Sequence, residues 1–407
     1  MSWSLRWVGQ AVLLVFVVFA GARLLGLGLA DRFASADPER ALRWRAEHPL
    51  ALTRRAEQLA AAGQSAAAQA LSRRALAQDP LAARAYRVLA EAAVASGDEA
   101  GARLLYRVVA RHDPRDLSTR MWLLNDHLIQ LDAVSAIADL DALLRAEPRL
   151  LPGLAATVIG LASHRETQPA LLAVLERQPP WRPAALGMVV AQAADRDAVA
   201  RLLAQLRLAH GGIDPALDRA WIERLISERQ FAQAYLAWVA GLAASSDRPV
   251  SNVFNGDFAV PPTHHGFDWR IDPIGGARAE RLPADPPAHG LALRLAFDDQ
   301  RVAFAHLRQL LLLAPGSYRF EALVKLDELR NERGLVWELA CAEDGRVIAS
   351  SPALAGTAPW HDLAFDFAVP ATDCQAQWLR LRLPARIPAE QRIAGAIWFD
   401  DLRIRRR

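Results

Sequence analysis

The sequence predicts a multidomain α + β protein with an N-terminal transmembrane helix, an α-solenoid of helical hairpins, and a C-terminal all-β sandwich of the jelly-roll type. Three observations support this fold class. An apolar run opens the chain, prolines then recur every 31 to 35 residues, and near residue 250 the apolar residues change from helical spacing to near alternation. With 407 residues, of which 52% are hydrophobic, the chain is long enough for two or three cores, because one core rarely exceeds about 250 to 300 residues.

The charge pattern argues against a nucleic-acid partner. The formal net charge is only +3, and almost all basic residues are arginines interspersed with Asp and Glu, Lys325 being the one lysine. A nucleic-acid-binding domain concentrates its positive charge on one face or in one segment. We therefore expect no nucleic-acid partner.

Residues 1–31 are predicted to be a membrane anchor or a signal segment. The chain from Trp7 to Ala22 carries no charge, and after one arginine the apolar character continues to Ala30. About 20 apolar residues suffice to span a bilayer as a helix, so we expect a single-pass anchor in the inner membrane. A cleaved signal peptide is the alternative, because small residues precede Asp37 in an A-x-A-like pattern.

Residues 32–48 are expected to be a linker, and residues 49–249 a helical repeat domain. A fixed period of about 20 to 50 residues is the mark of stacked helical units, each hiding its neighbour's apolar face. We expect up to six hairpins. The prolines that mark their limits are Pro49, Pro80, Pro114, Pro148, Pro180, Pro215 and Pro249.

One unit, beginning at Ala83, carries the repeat pattern most completely. It places a face of large and small apolar residues, a turn glycine, a second apolar face and a terminating proline at regular offsets: Tyr86, Leu89, Ala90, Ala93, Gly97, Ala102, Tyr106 and Pro114. With these offsets the segment resembles the tetratricopeptide-repeat family. The resemblance implies a concave surface, made by the first helix of each hairpin, that binds a protein partner.

A second stripe on the first helices is the candidate partner-binding surface. In the best-matching unit Arg84, Arg87 and Glu91 recur at three and four residues, on a face distinct from the apolar stripe. The equivalent offsets of the next unit hold Met121 and Asn125. We expect these residues to bind a protein of the cell envelope. A solvated face without a partner is the alternative, because charge on an outer helix face is common.

Residues 250–407 are predicted to form the all-β domain. Short apolar-alternating segments are separated by turn signals such as Glu-Asp-Gly and Ala-Pro-Gly, and eight or more such strands are typical of a sandwich or jelly roll. Turns are also expected at 298–300 and 355–360. The clearest strand segments are residues 291–297, 316–326, 335–341, 378–383 and 396–404.

Five segments of this domain carry a family resemblance: NGDF at its start, GFDW, LAPGSYRFEALVK, APWHDLAFDF with its tryptophan before a strand, and the closing GAIWFDDLRI. With them the domain resembles jelly-roll modules of the carbohydrate-binding, galactose-binding-like superfamily. The resemblance implies a first strand beside the last, in which Asn255 and Gly256 can form a tight turn. It also implies a structural calcium, for which Asp257, Asp400 and Asp401 are candidate oxygen ligands. The family often has a carboxylate after NGDF, where this chain has Ala259. An Asp400 that lies in water at a strand end is the alternative.

A polysaccharide site is predicted on outward-facing side chains of the sandwich. Alternation places Trp378, Arg380 and Arg382 on one side of a strand and leaves Arg319 and Glu321 outside another. Sugar rings stack on aromatic side chains while charged groups bond their hydroxyls. An ordinary solvated sheet face has the same composition, so both interpretations stay open. The remaining tryptophans of the domain, expected mainly in the core, are Trp269, Trp337, Trp360 and Trp398.

The sequence does not predict an enzyme. It contains no G-x-S-x-G, no Walker loop and no His-x-x-x-His pair, the patterns that mark common nucleophile, phosphate and metal sites. Glu321 and Glu338 could act as a pair of glycosidase carboxylates. Two glutamates on polar strand faces are common, however, and nothing else in the sequence supports this role. The adjacent His264 and His265 suit a turn better than a metal site. No cofactor other than calcium is expected.

The two cysteines bear on the cellular compartment. Cys341 ends one predicted strand and Cys374 precedes another, so the two can pair. Disulfides persist in oxidising compartments, which favours the periplasm, although the excess of arginines after the apolar run favours the opposite orientation. We expect a membrane-anchored periplasmic scaffold for envelope polysaccharide assembly or export. The alternative is a glycan receptor whose repeats act as a spacer.

Overall fold

A computed structural model describes residues 2–209, 212–243 and 250–407. The chain divides into two compact units, Met1–Gly212 and Ile213–Arg407. The domain boundary that the sequence places at 249/250 stays a prediction. The second compact unit begins one helical pair earlier and contains both that pair and the sandwich.

Helices α3 to α14 occupy the six segments between the marking prolines. The fourth segment opens with a 3-10 helix, Pro148–Leu154, and its two α-helices are short. Along the described chain the α-helices are α1 Ser2–Phe33, α2 Pro38–Trp44, α3 Pro49–Ala61, α4 Ser65–Gln78, α5 Ala83–Ala95, α6 Glu99–His112, α7 Leu117–Ile129, α8 Ala133–Ala146, α9 Ala155–Ser163, α10 Gln168–Leu175, α11 Arg182–Gln192, α12 Arg196–Leu208, α13 Pro215–Ser227 and α14 Phe231–Ala243.

The N-terminal segments differ from expectation in two respects. Among the residues that the structure describes, no helix combines the length and the hydropathy that crossing a bilayer requires, so the expected transmembrane helix is not confirmed. The expected linker at 32–48 contains α2. This helix forms because Asp37 accepts a hydrogen bond from the Arg40 N–H at 3.0 Å, and Pro38 lies in the first turn, where its missing N–H has no partner to lose.

Local sequence sets where the repeat helices begin and turn. Asp98, Asp116 and Asp132 each accept a hydrogen bond from the backbone N–H three residues later, at 2.8, 2.8 and 3.1 Å. Such caps satisfy donors that the first helical turn leaves free. The turns within the first two pairs hold Gly63 and Gly97 with φ of 77° and 81°, a region where other side chains are strained.

The core of the repeats is built from small residues packed against a few large ones. One buried cluster joins α5, α6 and α7 through Ala90, Ala102, Tyr106 and Leu123. The expected core stripe of α5 is only partly buried, since this helix packs against both α4 and α6 and so buries two faces. Of the predicted apolar residues Ala90 is buried, and Tyr86, Leu89 and Ala93 are partly buried. Ala85 and Val88 are buried as well.

The sandwich consists of two antiparallel five-stranded sheets. Sheet I has the order β1-β4-β9-β6-β7 and sheet II the order β2-β3-β10-β5-β8. The turns expected at 298–300 and 355–360 are wrong, because β3 and β8 run through most of these residues. The strands are β1 Arg270–Ile271, β2 Ala277–Pro283, β3 Leu291–Arg301, β4 Leu307–Leu311, β5 Gly316–Arg330, β6 Val336–Cys341, β7 Val347–Ser350, β8 Gly356–Val369, β9 Gln377–Arg382 and β10 Arg392–Arg406.

The stretch before β1 is not the expected first strand. Asn255 and Phe258 have φ of 53° and 46°, which an extended strand does not accommodate. The stretch does lie beside the end of β10, since the Leu402 N–H donates to the Gly256 carbonyl at 2.9 Å. A Cβ on Gly256 would lie 2.0 Å from the Leu402 oxygen, so the approach requires glycine. The stretch therefore lies beside the last strand as expected, and residues 254–257 form the turn expected at Asn255 and Gly256. The expected strand before Arg270 is wrong.

The core of the sandwich lies between the two sheets and is rich in aromatic residues. Trp269 and Trp337 are fully buried there, whereas Trp360 and Trp398, also expected in the core, are partly exposed. Buried Cys341 and Cys374 are joined by a disulfide with their Cα atoms 4.9 Å apart. The largest buried side chains besides the two tryptophans are Phe258, Phe320 and Phe399.

The last helical pair packs against the sandwich through an aromatic cluster. Tyr235 and Trp238 of α14 contact Phe254 and Phe267 of the stretch before β1. The Tyr235–Phe267 and Trp238–Phe254 ring centroids are 5.0 Å apart and meet edge to face, a favoured aromatic geometry. Burial raises the pKa of Tyr235. The second compact unit therefore combines helices and sheets in one core.

Candidate functional site

Arg87 is the centre of an ion-pair network on the first helices of the repeats. Its guanidinium pairs with Glu57 of α3 at 2.8 Å, with Glu91 of α5 at 3.3 Å, and with Asp116, the cap of α7, at 3.5 Å. Arg84 lies 3.9 Å from the same Glu57. The network thus links three successive hairpins. Partial burial raises the pKa of Glu91, which the guanidinium of Arg87 opposes.

The other two residues of the predicted partner-binding stripe lie on α7. Asn125 is exposed and Met121 is partly buried. Together with the network around Arg87, they extend the stripe over two consecutive first helices. The surface combines fixed charges at one end with amide and thioether groups at the other.

A buried polar cluster between α6, α7 and α8 was missed by sequence reasoning. Asp126 accepts two hydrogen bonds of 2.7 Å from Arg103, which hold the pKa of this carboxyl below its usual range. Buried Asp139 accepts from Arg120 at 2.6 Å and pairs with the His127 ring at 2.9 Å. The one signal was His127, at an offset where the repeat family usually has tyrosine or a small residue. The cluster fixes the packing of these helices.

The five predicted glycan-binding residues do not form one surface. Trp378, Arg380 and Arg382 lie on β9 in sheet I, while Arg319 and Glu321 lie on β5 in sheet II. The alternation is as expected, since the intervening leucines of β9 and the aromatic residues of β5 are buried. The sequence specified which side of each strand faces outward, but not that the two outward sides belong to different sheets.

On the outer face of sheet I a nearly buried carboxylate binds the two arginines of β9. Glu338 of β6, which is 5% exposed, accepts hydrogen bonds from Arg380 Nε at 2.7 Å and from Arg382 Nη1 at 3.0 Å. Buried charges require such pairing. Glu338 therefore holds both arginines in place.

The indole of Trp378 lies beneath two further arginines. The guanidinium groups of Arg308 and Arg270 are 5.2 and 5.4 Å from its ring centroid, within the range of cation–π attraction. Trp378 is partly exposed. Sheet I thus presents a tryptophan surrounded by positive charge, although part of the ring is already covered.

On the outer face of sheet II, Arg319 and Glu321 belong to surface ion pairs. Glu321 contacts Arg319 at 3.5 Å and Arg403 at 3.2 Å. Trp398, on the neighbouring β10, lies below Arg294 and Lys325, each 5.7 Å from its centroid. This face therefore resembles sheet I in having a tryptophan among cations.

The predicted calcium ligands are close together but differ in environment. Asp400 is buried and accepts hydrogen bonds from the N–H groups of His289 and Asp401 at 3.1 and 2.7 Å. Burial raises its pKa, and the charges of Asp401 and Asp257 add to this. Asp401 pairs with Arg403 at 3.0 Å. In the described part of the chain no group of three such side chains is arranged to hold a metal ion, and calcium stays a prediction.

Comparisons with known proteins found similar solved structures for each of the two parts of the chain. No protein-family model matches the sequence, and no curated protein matches it. Among solved structures, the sheet region is similar to a CBM4 protein, with 15% identity over 38% of this chain and 99% of that chain and a TM-score of 0.28. It is also similar to the CBM22-1 xylan-binding domain of Paenibacillus barcinonensis Xyn10C, with 12% identity over 37% and 91% of the chains and a TM-score of 0.26.

The helical region is similar to tetratricopeptide-repeat structures. One is the TPR domain of P58(IPK), with 21% identity over 48% of this chain and 50% of that chain and a TM-score of 0.23. Another is APC/C Cut9–Hcn1, with 15% identity over 56% and 45% of the chains and a TM-score of 0.26. The chain is thus similar to repeat proteins in its helical part and to carbohydrate-binding modules in its sheet part.

Proposed function

We propose that this protein is a scaffold that binds a protein partner through the first helices of its repeats, without an enzymatic activity of its own. The observation that supports this best is the network around Arg87, which joins Glu57, Glu91 and Asp116 across three hairpins. Charged side chains held by one another lose less freedom on binding than free ones, so such a surface is preorganised for a partner. Exposed Asn125 extends it.

A photo-crosslinking experiment tests this proposal. A photoreactive residue replaces either Arg84, on first helix α5, or Arg111, an exposed arginine on second helix α6. Irradiation of cells should give a discrete crosslinked product from position 84 and none from position 111. The same crosslinked product from both positions, or none from position 84, would refute a partner-binding role for the stripe.

We further propose that the protein is anchored in the inner membrane, with both units in the periplasm, and acts in envelope polysaccharide assembly or export. The apolar run before Ala30 and the Cys341–Cys374 disulfide support this location, because disulfides persist in oxidising compartments. A reporter that fluoresces only in the cytoplasm should stay dark when fused after Arg407, and an exported phosphatase should be active there. The reverse result would exclude the periplasm.

A second candidate function is glycan binding by the sandwich. The outer face of sheet I, where Trp378 lies among Arg270, Arg308, Arg380 and Arg382, favours it. Aromatic rings with adjacent charged donors are suited to sugars. In this case the repeats would separate the binding module from the membrane.

A further inference from the structure

The side of the sandwich between edge strands β1 and β2 is not filled. Inward-facing residues of β3 pair in register with two alanines and one arginine of β2: Phe297 with Ala277, Leu295 with Ala279 and Leu293 with Arg281. Alanine is too small to close the gap between two sheets about 10 Å apart. Ala279 is therefore exposed although it pairs with the buried Leu295.

The result is a cleft of about 490 Å³ that opens at this edge. Its volume lies within the usual range of ligand sites, about 300 to 1,000 Å³. Ile271, Ile274 and Ala277 form a partly exposed apolar floor over the buried Leu293 and Leu295. His306 and Pro262 line the wall. Apolar side chains and ring faces are suited to the C–H faces of a sugar ring.

Arg281 is the uncompensated charge in this cleft. The other charged lining residues have partners of opposite charge: Arg278 with Asp298 at 2.9 Å, Glu280 with Arg294 at 3.2 Å, and Asp272 with Arg308 at 3.3 Å. Within the described residues Arg281 has no ion pair and donates one hydrogen bond, from Nη1 to the Phe258 carbonyl at 3.1 Å. A guanidinium has five N–H donors, so most remain for a ligand.

Two histidines add donors of the same kind. The Nδ1 atom of His264 accepts the Ile271 N–H at 3.2 Å, and the Nδ1 atom of His306 accepts the Ala305 N–H at 3.1 Å. A ring nitrogen that accepts a hydrogen bond carries no proton, so each neutral ring has its proton on Nε2. Both histidines therefore offer an Nε2–H donor, and a ligand rich in acceptors suits them.

We propose that this cleft binds a uronic acid residue of an acidic polysaccharide. The carboxylate pairs with the guanidinium of Arg281, and the sugar ring lies on Ile271, Ile274 and Ala277. The sugar hydroxyls accept hydrogen bonds from the two histidines. The inference extends the proposed glycan binding to a second site of the sandwich. This site does not include Trp378 or the repeat stripe, so the Arg281 variant tests it separately from both. A pyranose carrying a carboxylate fits better than an acidic peptide, because the apolar floor lies beside the single free cation of the described cleft.

Calorimetry on the purified full chain in detergent tests this site. The ligands are trigalacturonate and its carboxyl-reduced form, in which a neutral hydroxymethyl group replaces each carboxylate. The wild type should bind the acid form at least about tenfold more tightly, as expected for a hydrogen-bonded charge pair. Arg281→Gln should remove this preference. Arg346→Gln, which removes the same charge from the β6–β7 turn, should leave it unchanged.

A steric variant provides an independent test. Ala279→Phe fills the cleft from an exposed position, so it should abolish binding without lowering the melting temperature. If this variant fails to fold, Arg281→Gln alone decides. The proposal is overturned if the acid and reduced trimers bind equally, if neither binds, or if neither variant changes binding. Binding of an acidic peptide in place of trigalacturonate would also overturn it.

Discussion

Glu223 of α13 and Arg270 of β1 form an ion pair of 2.8 Å between Oε1 and Nη2. The same carboxylate oxygen accepts the Gly266 N–H at 2.9 Å, and the Arg270 guanidinium lies over the ring of Trp378. One carboxylate of the last helical pair therefore positions an arginine on the candidate glycan face of sheet I. The helices and the sheet of the second compact unit are coupled at this point.

Removing this carboxylate should weaken the second unit. Glu223→Ala loses two hydrogen bonds that involve a charged group, but the Glu223 side chain is 35% exposed, so we expect a loss of only about 1 kcal/mol in the free energy of unfolding. Thermal unfolding of residues 213–407 measures it. Glu328→Ala, at a side chain 73% exposed, is the control, and an equal effect of both variants would show that the Glu223 contact is not stabilising.

The aromatic cluster predicts where a stable fragment must begin. Residues 213–407 should fold and melt cooperatively, whereas residues 250–407 should melt at a lower temperature or aggregate, because Phe254 and Phe267 lose the cover of Trp238. Trp238 is 3% exposed, so Trp238→Ala in the longer fragment should cost about 3 to 5 kcal/mol. Equal melting temperatures of the two fragments would instead support a domain boundary at 249/250.

Proline spacing and strand alternation were enough to predict the helical segments and the sandwich, since both depend on local periodicity. The glycan site could not be predicted in the same way. Trp378 and Arg319 each face outward as alternation requires, but sheet order depends on long-range pairing that neighbouring residues do not encode. The inward Ala279 of β2 was missed for the same reason, because only its pairing with Leu295 reveals an unfilled edge.

The bond between Asp126 and Arg103 predicts a pH dependence of the repeats. Arg103 holds the folded-state pKa of Asp126 below the ordinary value of 3.8, so the stabilisation is present above that pH and is lost as the pH falls through the folded-state pKa. At pH 7, Asp126→Asn should lower the free energy of unfolding by about 2 kcal/mol and lower the melting temperature accordingly. In strong acid the difference in melting temperature between the variant and the wild type should disappear. Glu99→Gln, at an exposed position of α6, is the control. If the difference in melting temperature persists at a pH below both the folded-state and the unfolded-state pKa of Asp126, the Asp126–Arg103 bond is not its cause.

The disulfide should stabilise the sandwich. Cys341 and Cys374 are 33 residues apart. By constraining the unfolded chain, a disulfide that closes a loop of this size contributes about 4 kcal/mol to the free energy of unfolding. Reduction of the wild type and the double variant Cys341→Ser, Cys374→Ser should lower the melting temperature by similar amounts. Reducing agent should have no further effect on the double variant. Free thiols at both positions in protein alkylated inside intact cells would contradict an oxidising location.

Trp378 and Trp398 provide a matched test of glycan binding, because each is a partly exposed tryptophan beneath two cations, one on sheet I and one on sheet II. Replacing either by alanine removes two cation–π contacts and should cost a similar amount, about 1 to 2 kcal/mol of stability. Stacking of a ring on an exposed aromatic contributes roughly 1 to 3 kcal/mol by analogy with base stacking. If sheet I is the glycan face, Trp378→Ala should therefore weaken retention in a polysaccharide gel about tenfold, while Trp398→Ala leaves it unchanged. An equal loss of retention in both variants would show that reduced stability causes the effect. If the wild type is not retained by any envelope polysaccharide, this face has no glycan-receptor role and the scaffold function stands alone.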